Sequence, residues 1–196
     1  MKRFAVLIPL VLFLPCVHSQ NGNEAVYWAQ QISKNAGELK DVAFQTPLDL
    51  HRSILFKQDD TAALIMPAVG VNDIQLKTAG TKPVPLGIVW FLGAKPTTIK
   101  HAAFADEKLQ LATIQSNGER RLRGVLLAVR QNGDRMELLV FGRGQQPLIK
   151  IPMAERLLHQ RSPIDILATS KGDRDYIVLH LYGRFMVHIP VVTGIN

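Results

Sequence analysis

The C-terminal stretch of the sequence carries the densest group of side chains that could bind a ligand. Apart from Gly183, the odd positions from Ile177 to Val191 are apolar, as expected of two strands that share a core face. A three-residue loop centred on Gly183 keeps odd positions opposite odd ones. His180 then lies opposite Met186 and diagonal to His188. On the other face we therefore predict contacts with a ligand or partner at Tyr176, His180, Tyr182, Arg184 and His188.

This pattern of residue types limits the chemistry of the predicted face. Imidazole and phenol groups hydrogen-bond and stack, which suits an anionic or sugar-like ligand. The same side chains are also typical of the solvent-facing side of an ordinary sheet. We predict no metal, because two histidines lack the third ligand and the carboxylate that transition-metal sites use. We predict no cofactor either.

Four arginines form a second candidate site. In the predicted hairpins they gather near one end of the central strands: Arg120, Arg121, Arg123 and Arg143. The whole chain has a net charge of +7, which becomes +5 without the predicted leader. A basic patch on such an exported protein suits an anionic envelope polymer, a phospholipid head group or an acidic protein. The alternative is a solvated rim. Nucleic acid is not expected, because the central strands do not interleave aromatic and basic residues.

The sequence carries none of the common catalytic motifs. It lacks a Gly-x-Ser-x-Gly elbow, a His-Glu-x-x-His pair and a glycine-rich phosphate loop. Catalytic residues are therefore not assigned, and a non-enzymatic role is favoured. A hydrolase is an alternative, because active sites assemble from distant loops. It would place His51, His101 or His159 within hydrogen-bond reach of a carboxylate.

The first nineteen residues have the pattern of a secretory signal peptide. Lys2 and Arg3 precede an apolar run over residues 4–14, and small residues at spacing two before Gln20 fit a peptidase site. The run is shorter than the roughly 17 to 25 residues that cross a bilayer as a helix. We therefore predict a signal peptide over residues 1–19 and a periplasmic or secreted protein.

Cys16 is the only cysteine of the chain, so no internal disulfide can form. Lipidation at Cys16 is the alternative to cleavage after Ser19, although Leu14 and Pro15 stand where a lipobox has small residues. An exported domain without disulfides must depend on a sufficient hydrophobic core.

The chain after the leader divides into a helical start and a long β-rich remainder. Within residues 20–46, the spacing of Ala25, Ala29 and Ile32 predicts an amphipathic helix that begins near Asn23. Over residues 47–196, short runs rich in Val, Ile and Leu alternate with turn residues about every 8 to 12 positions, which is typical of an all-β domain. We predict a mainly β fold, an antiparallel sandwich or meandering barrel, with the N-terminal helix and one short helix near residues 153–160. Candidate strands include Asp73–Thr78 and Thr97–His101.

Three turns of similar sequence indicate β-hairpins: Asn117-Gly118, Asn132-Gly133 and Lys171-Gly172. Asn-Gly favours positive φ at both central residues of a two-residue turn. The second turn would then place Arg130 opposite Arg135, and the third would place Ile166 opposite Ile177.

These observations predict an exported, non-enzymatic all-β module that binds a partner or assembles in the bacterial cell envelope. Its partner would be a protein or an anionic envelope component. The alternatives are a β-barrel that carries a lipid-like or other small ligand, and a hydrolase with an unrecognised site. The module should have a filled core and an exposed sheet edge or arginine-lined patch. The carrier should enclose an apolar cavity of several hundred cubic ångströms.

Overall fold

A computed structural model describes residues 22–115, 118–157, 160 and 162–195. The fold is mainly β, with 51% of residues in strands and 14% in helices, as the sequence predicts. The predicted signal peptide, residues 1–19, lies outside the described residues, as does His159.

Antiparallel pairing assembles the strands into two sheets. In chain order they are β1 (Ile54–Gln58), β2 (Thr61–Pro67), β3 (Val84–Leu92), β4 (Ala94–Pro96), β5 (Gln110–Gln115), β6 (Glu119–Asn132), β7 (Arg135–Phe141), β8 (Ile149–Pro152), β9 (Ala154–Glu155), β10 (Ile164–Lys171), β11 (Arg174–Leu181) and β12 (Phe185–Thr193). The first sheet has the order β1-β2-β3-β6-β7-β8, with β5 paired to the beginning of β6. The second has the order β10-β11-β12-β4, with β9 paired to the beginning of β12. The sheets form a β sandwich and do not close into a barrel, so the barrel of the carrier hypothesis is absent.

Side chains from the facing sides of the two sheets form one buried cluster. In β11 and β12 the odd positions from Ile177 to Val191 belong to it, which confirms the predicted core face. From the first sheet, Val125, Leu127 and Val129 alternate into the same interior along β6. Full burial of such a side chain contributes roughly 1.5 to 3 kcal/mol, so this alternation fixes which face of each strand points inward.

A third layer covers the outer face of the first sheet. The helix α1 (Asn23–Asn35) buries Ala25, Trp28, Ala29 and Ile32 against that face, which confirms the predicted amphipathic helix. Its alanines allow close approach of the helix to the sheet. The sheet contributes Leu55, Leu64, Trp90, Leu126 and Ala128 to the same cluster.

The second helix lies where the sequence predicts a strand. The predicted strand Asp73–Thr78 is the helix α2 (Asp73–Lys77), because Asn72 caps it by accepting a hydrogen bond from the Gln75 N–H at 3.0 Å. Two 3-10 turns, Leu50–Arg52 and Asp106–Lys108, complete the helical segments among the described residues. None of the described helices is long and apolar enough to cross a membrane.

Two other predicted elements also differ. The helix predicted near residues 153–160 does not form over its described part, since Ala154 and Glu155 pair with the edge of β12 as β9. The strand predicted over Thr97–His101 is instead a turn that follows β4, because the Thr98 N–H donates to the Ala102 carbonyl and folds the chain back.

Asn117 of the first predicted turn lies outside the described residues. The other two hairpins are shifted by two residues from the predicted register. The closing pairs are Asn132–Arg135 and Lys171–Arg174. The turn residues are therefore Gly133-Asp134 and Gly172-Asp173. Only the glycine of each turn has a positive φ, 60° and 66°, which is the pattern of a type II′ turn. Ile166 thus faces Leu179 rather than Ile177, and because the shift is two residues the core face is unchanged.

The observed register replaces a predicted like-charge pair with a salt bridge. Arg130 lies opposite Glu137 instead of Arg135. The Arg130 Nη2 is 2.6 Å from the Glu137 Oε1, and Glu137 is buried. The predicted cost of two facing arginines is therefore avoided.

Candidate functional site

The two outer faces of the sandwich differ. The first sheet is covered by α1 and by the chain that follows it. The outer face of the second sheet has no helical layer among the described residues, and Tyr176, His180, Met186 and His188 are only half-buried there. Around Val178, which neighbouring side chains bury, this face presents aromatic, imidazole and thioether groups to the surface. The name outer face of the second sheet refers to this surface, with Tyr176, Val178, His180, Met186 and His188 as its central residues.

Three rings stack edge to face along this surface. The Tyr176 ring lies 5.7 Å from His101 and 5.8 Å from His188, with interplanar angles of 90° and 86°. Such T-shaped pairs are worth about 0.5 to 1.5 kcal/mol beyond their burial. His180 lies opposite Met186 and next to the strand position of His188, as the three-residue loop predicts. The row therefore runs from a loop across two strands of the sheet.

His101 joins this row because of the loop after β4. It has a φ of 63°, which is uncommon for a residue other than glycine. The loop is held by hydrogen bonds from the His101 N–H to the Thr98 carbonyl and from the Ala102 N–H to the Thr98 Oγ1. From the sequence, His101 is predicted only as a possible catalytic histidine of the hydrolase alternative. Its place beside Tyr176 depends on a contact between distant segments, which no local pattern indicates.

The pKa values of His180 and His188 on this face are lowered, which favours the neutral form of each ring. Burial lowers the pKa of His180, although the opposing charge of Asp165 raises it in part. Burial also lowers the pKa of His188, and the neighbouring His180, Lys171 and Arg156 lower it further. At neutral pH the His180 and His188 rings are therefore uncharged, the Asp165 carboxylate lies opposite His180, and the cations Lys171 and Arg156 lie close to His188.

We expect these two histidines to make the fold less stable in mild acid. Their pKa values are below 6.5 in the folded protein, so the unfolded chain binds more protons as the pH falls through that range. The contribution of these two histidines to the free energy of unfolding is thus fully present well above pH 6.5 and is lost as the pH falls below it. The Tm should fall between about pH 7.5 and about pH 5.5, and fall less in the double variant His180→Gln, His188→Gln. Equal declines in the two proteins would show that other groups are responsible.

Two of the five residues predicted at this face lie elsewhere. The Tyr182 side chain packs against the interior cluster, and its phenol donates to the Val71 carbonyl at 2.8 Å. Arg184 pairs with Glu155 at 2.5 Å and lies over the Phe185 ring. Both residues belong to the three-residue loop, where the regular alternation of a strand ends. Tyr176, His180 and His188 are the predicted residues that the structure brings together.

The arginines predicted as a patch are divided between different environments. Arg121 and Arg123 converge on Asp106, which also binds Lys95. Arg120 lines a surface cavity of about 400 Å³ together with Arg121. Arg143 lies in the loop after β7, where its backbone N–H donates to the Lys108 carbonyl at 2.8 Å.

The ion cluster around Asp106 joins the two sheets. Its carboxylate is 2.9 Å from the Arg123 Nε of β6 and 2.6 Å from the Lys95 Nζ of β4. Burial alone would raise the pKa of Asp106, but hydrogen bonds from Arg123 and Lys95 outweigh it and hold the pKa at about 2. Because Arg123 is only 5% exposed, this ion pair is mainly structural. It anchors the end of the loop that carries His101.

A hydrolase would need one of its histidines beside a carboxylate in a cavity. His51 lines a cavity in which none of the described lining residues is a carboxylate. His101 stacks on Tyr176, and His159 lies outside the described residues. Within the described ranges, no three or more His, Cys, Asp or Glu side chains form a group that could hold a metal ion. Comparisons with protein-family models, curated proteins and solved structures found no match.

Proposed function

We propose that the protein is an exported, non-enzymatic β-sandwich module that binds an acidic protein of the bacterial cell envelope. The signal-peptide pattern of residues 1–19 supports export. The observation that supports binding most strongly is the row of stacked rings on the uncovered outer face of the second sheet.

The composition of this face is that of an interface centre. Tyrosine, methionine and other large side chains with few charges are enriched where partners bury each other's surface. Tyr176 is held by ring contacts on both sides, so it is already ordered before binding. An ordered anchor loses little conformational entropy in the complex, which favours affinity.

The charges around the face indicate the kind of partner. Lys171 and Arg156 lie close enough to His188 to lower its pKa, and both are exposed. The whole chain carries a net charge of +7, and residues 20–196 carry +5, because Lys2 and Arg3 belong to the predicted leader. Lys171 and Arg156 lie on the His188 side of the aromatic centre, whereas the Asp165 carboxylate lies beside His180. The cations on the His188 side complement an acidic surface with an apolar patch, and such complementarity speeds association.

Site-specific photo-cross-linking in growing cells tests this proposal. A photoreactive residue at Thr169, which pairs with Tyr176 across β10 and β11, should capture one major acidic protein. The same residue at Tyr27, an exposed tyrosine on α1, serves as the matched control and should not capture it. Equal capture of the same proteins from both positions, or no capture from Thr169, would refute the proposed surface.

A further inference from the structure

A surface cavity of about 380 Å³ lies between the start of α1, the first 3-10 turn and the start of β10. Its lining combines apolar walls, which include Val26, Ile54 and Pro163, with a small number of polar groups, which include Arg52, Ser53 and Ser162. A concave, mainly apolar site with a few convergent polar groups is the usual form of a small-ligand pocket.

One wall of the cavity is the first turn of α1. Gly22 occupies the N-cap position, and no side chain caps the helix. The first N–H groups of a helix have no partner within the helix and carry its positive dipole end, which attracts anions. Glu24, the acidic residue of this turn, pairs with Lys57 at 2.8 Å.

Ser53 supplies a second and independent polar group. It lines the cavity and is only 3% exposed, and its Oγ has no hydrogen-bond partner among the described residues. An unpaired buried hydroxyl costs free energy unless something else bonds to it. Ser162, by contrast, donates to the Ile164 carbonyl and to Asp165, so its hydroxyl is already used.

Arg52 gives the cavity its charge. It is the only charged side chain among the described lining residues, and it forms no ion pair with a described carboxylate. Its guanidinium lies beside the Tyr182 phenol, which orients it. A guanidinium binds carboxylate and phosphate oxygens with paired hydrogen bonds.

We propose that this cavity binds a small molecule with an oxyanion head group, carboxylate or phosphate, on an apolar body. Arg52, the Ser53 hydroxyl and the first-turn N–H groups of α1 bind the head group. Val26, Ile54 and Pro163 contact the apolar body. This site lies apart from the outer face of the second sheet and is separate from the proposed protein partner.

Calorimetric titration of the purified protein with octanoate and with octyl phosphate tests the site. At least one probe should bind saturably at one site, and comparison of the two identifies the preferred head group. Arg52→Gln should weaken binding at least tenfold, because it removes the guanidinium that binds the head group. Ser53→Ala should weaken binding several-fold without lowering the Tm, because the removed hydroxyl has no partner in the free protein.

Arg135→Gln is the matched control, since Arg135 is an exposed arginine in the β6–β7 hairpin. It should leave the affinity unchanged. The proposal is overturned if neither probe binds saturably, if Arg52→Gln binds as tightly as the wild type, or if both arginine variants lose affinity equally.

Discussion

The Asp106→Asn variant should lose about 3 kcal/mol of the free energy of unfolding, because it leaves the charge of the buried Arg123 guanidinium uncompensated. Asp106 is the carboxylate that Arg123, Lys95 and Arg121 share, and the Arg123 side chain is only 5% exposed. Asparagine has the same shape and no charge, so the guanidinium of Arg123 would be left without its counter-ion. Guanidinium chloride unfolding monitored by tryptophan fluorescence measures the loss.

Asp173→Asn is the control for this substitution, since the Asp173 side chain is 97% exposed. It should change the free energy of unfolding by less than about 0.5 kcal/mol. If both variants lost less than about 0.5 kcal/mol of the free energy of unfolding, the Asp106 ion cluster would not stabilise the fold more than an exposed carboxylate does.

Protonation of Asp106 should also destabilise the fold in acid. Its pKa falls from 3.8 in the unfolded chain to about 2 in the folded protein. A lowered acid pKa stabilises the folded state above about pH 4, and this contribution of about 2 kcal/mol disappears as the pH falls towards 2. The wild type should therefore lose stability over that range, and Asp106→Asn should lose less.

Tyr176→Glu should weaken binding of the envelope partner at least thirtyfold. Central aromatic residues of an interface commonly cost 2 kcal/mol or more when truncated, and a new carboxylate would also repel an acidic partner. The variant removes both T-shaped ring contacts, to His101 and His188, without touching the interior cluster. Biolayer interferometry with the partner identified by cross-linking from Thr169 gives the Kd.

Tyr176→Phe separates stacking from the phenol hydroxyl. Phenylalanine keeps both edge-to-face contacts, so it should retain affinity within about threefold if the ring is the anchor. A loss as large as that of Tyr176→Glu would assign the binding energy to the hydroxyl instead.

The sequence predicted the fold class because burial follows simple alternation. Every odd position from Ile177 to Val191, apart from Gly183, lies in the interior cluster, and the loop at Gly183 has the predicted length. The helix over Asn23–Asn35 was predicted from its alanine stripe. In each case a one-residue shift would move the apolar side chains from the core to the solvent, so burial strongly constrains the sequence pattern.

Turn details and helix starts were predicted less well, because they depend on one or two residues. The Asn-Gly rule favours a type I′ turn, but Gly133 stands at the first central position, which is the type II′ arrangement. Asn72 followed three residues later by Gln75 is a typical helix start, and this pattern argues against the strand predicted over Asp73–Thr78.

The candidate sites could be predicted only in part. Tyr176, His180 and His188 share a face because a strand has a period of two, which sequence shows directly. His101, Arg52 and Ser53 come from loops and turns whose positions depend on tertiary contacts. No periodicity in the sequence connects them to the residues that they contact in the fold.

The most direct test of the proposed function is the Kd of the cross-linked partner for the wild type, Tyr176→Glu and Tyr27→Glu. Tyr27 is also an exposed tyrosine, 54% accessible, but it lies on α1 on the other side of the sandwich. Tyr176→Glu should weaken binding at least thirtyfold, and Tyr27→Glu should bind as tightly as the wild type. Equal affinities of the two variants, or a larger loss in Tyr27→Glu, would contradict binding through the outer face of the second sheet.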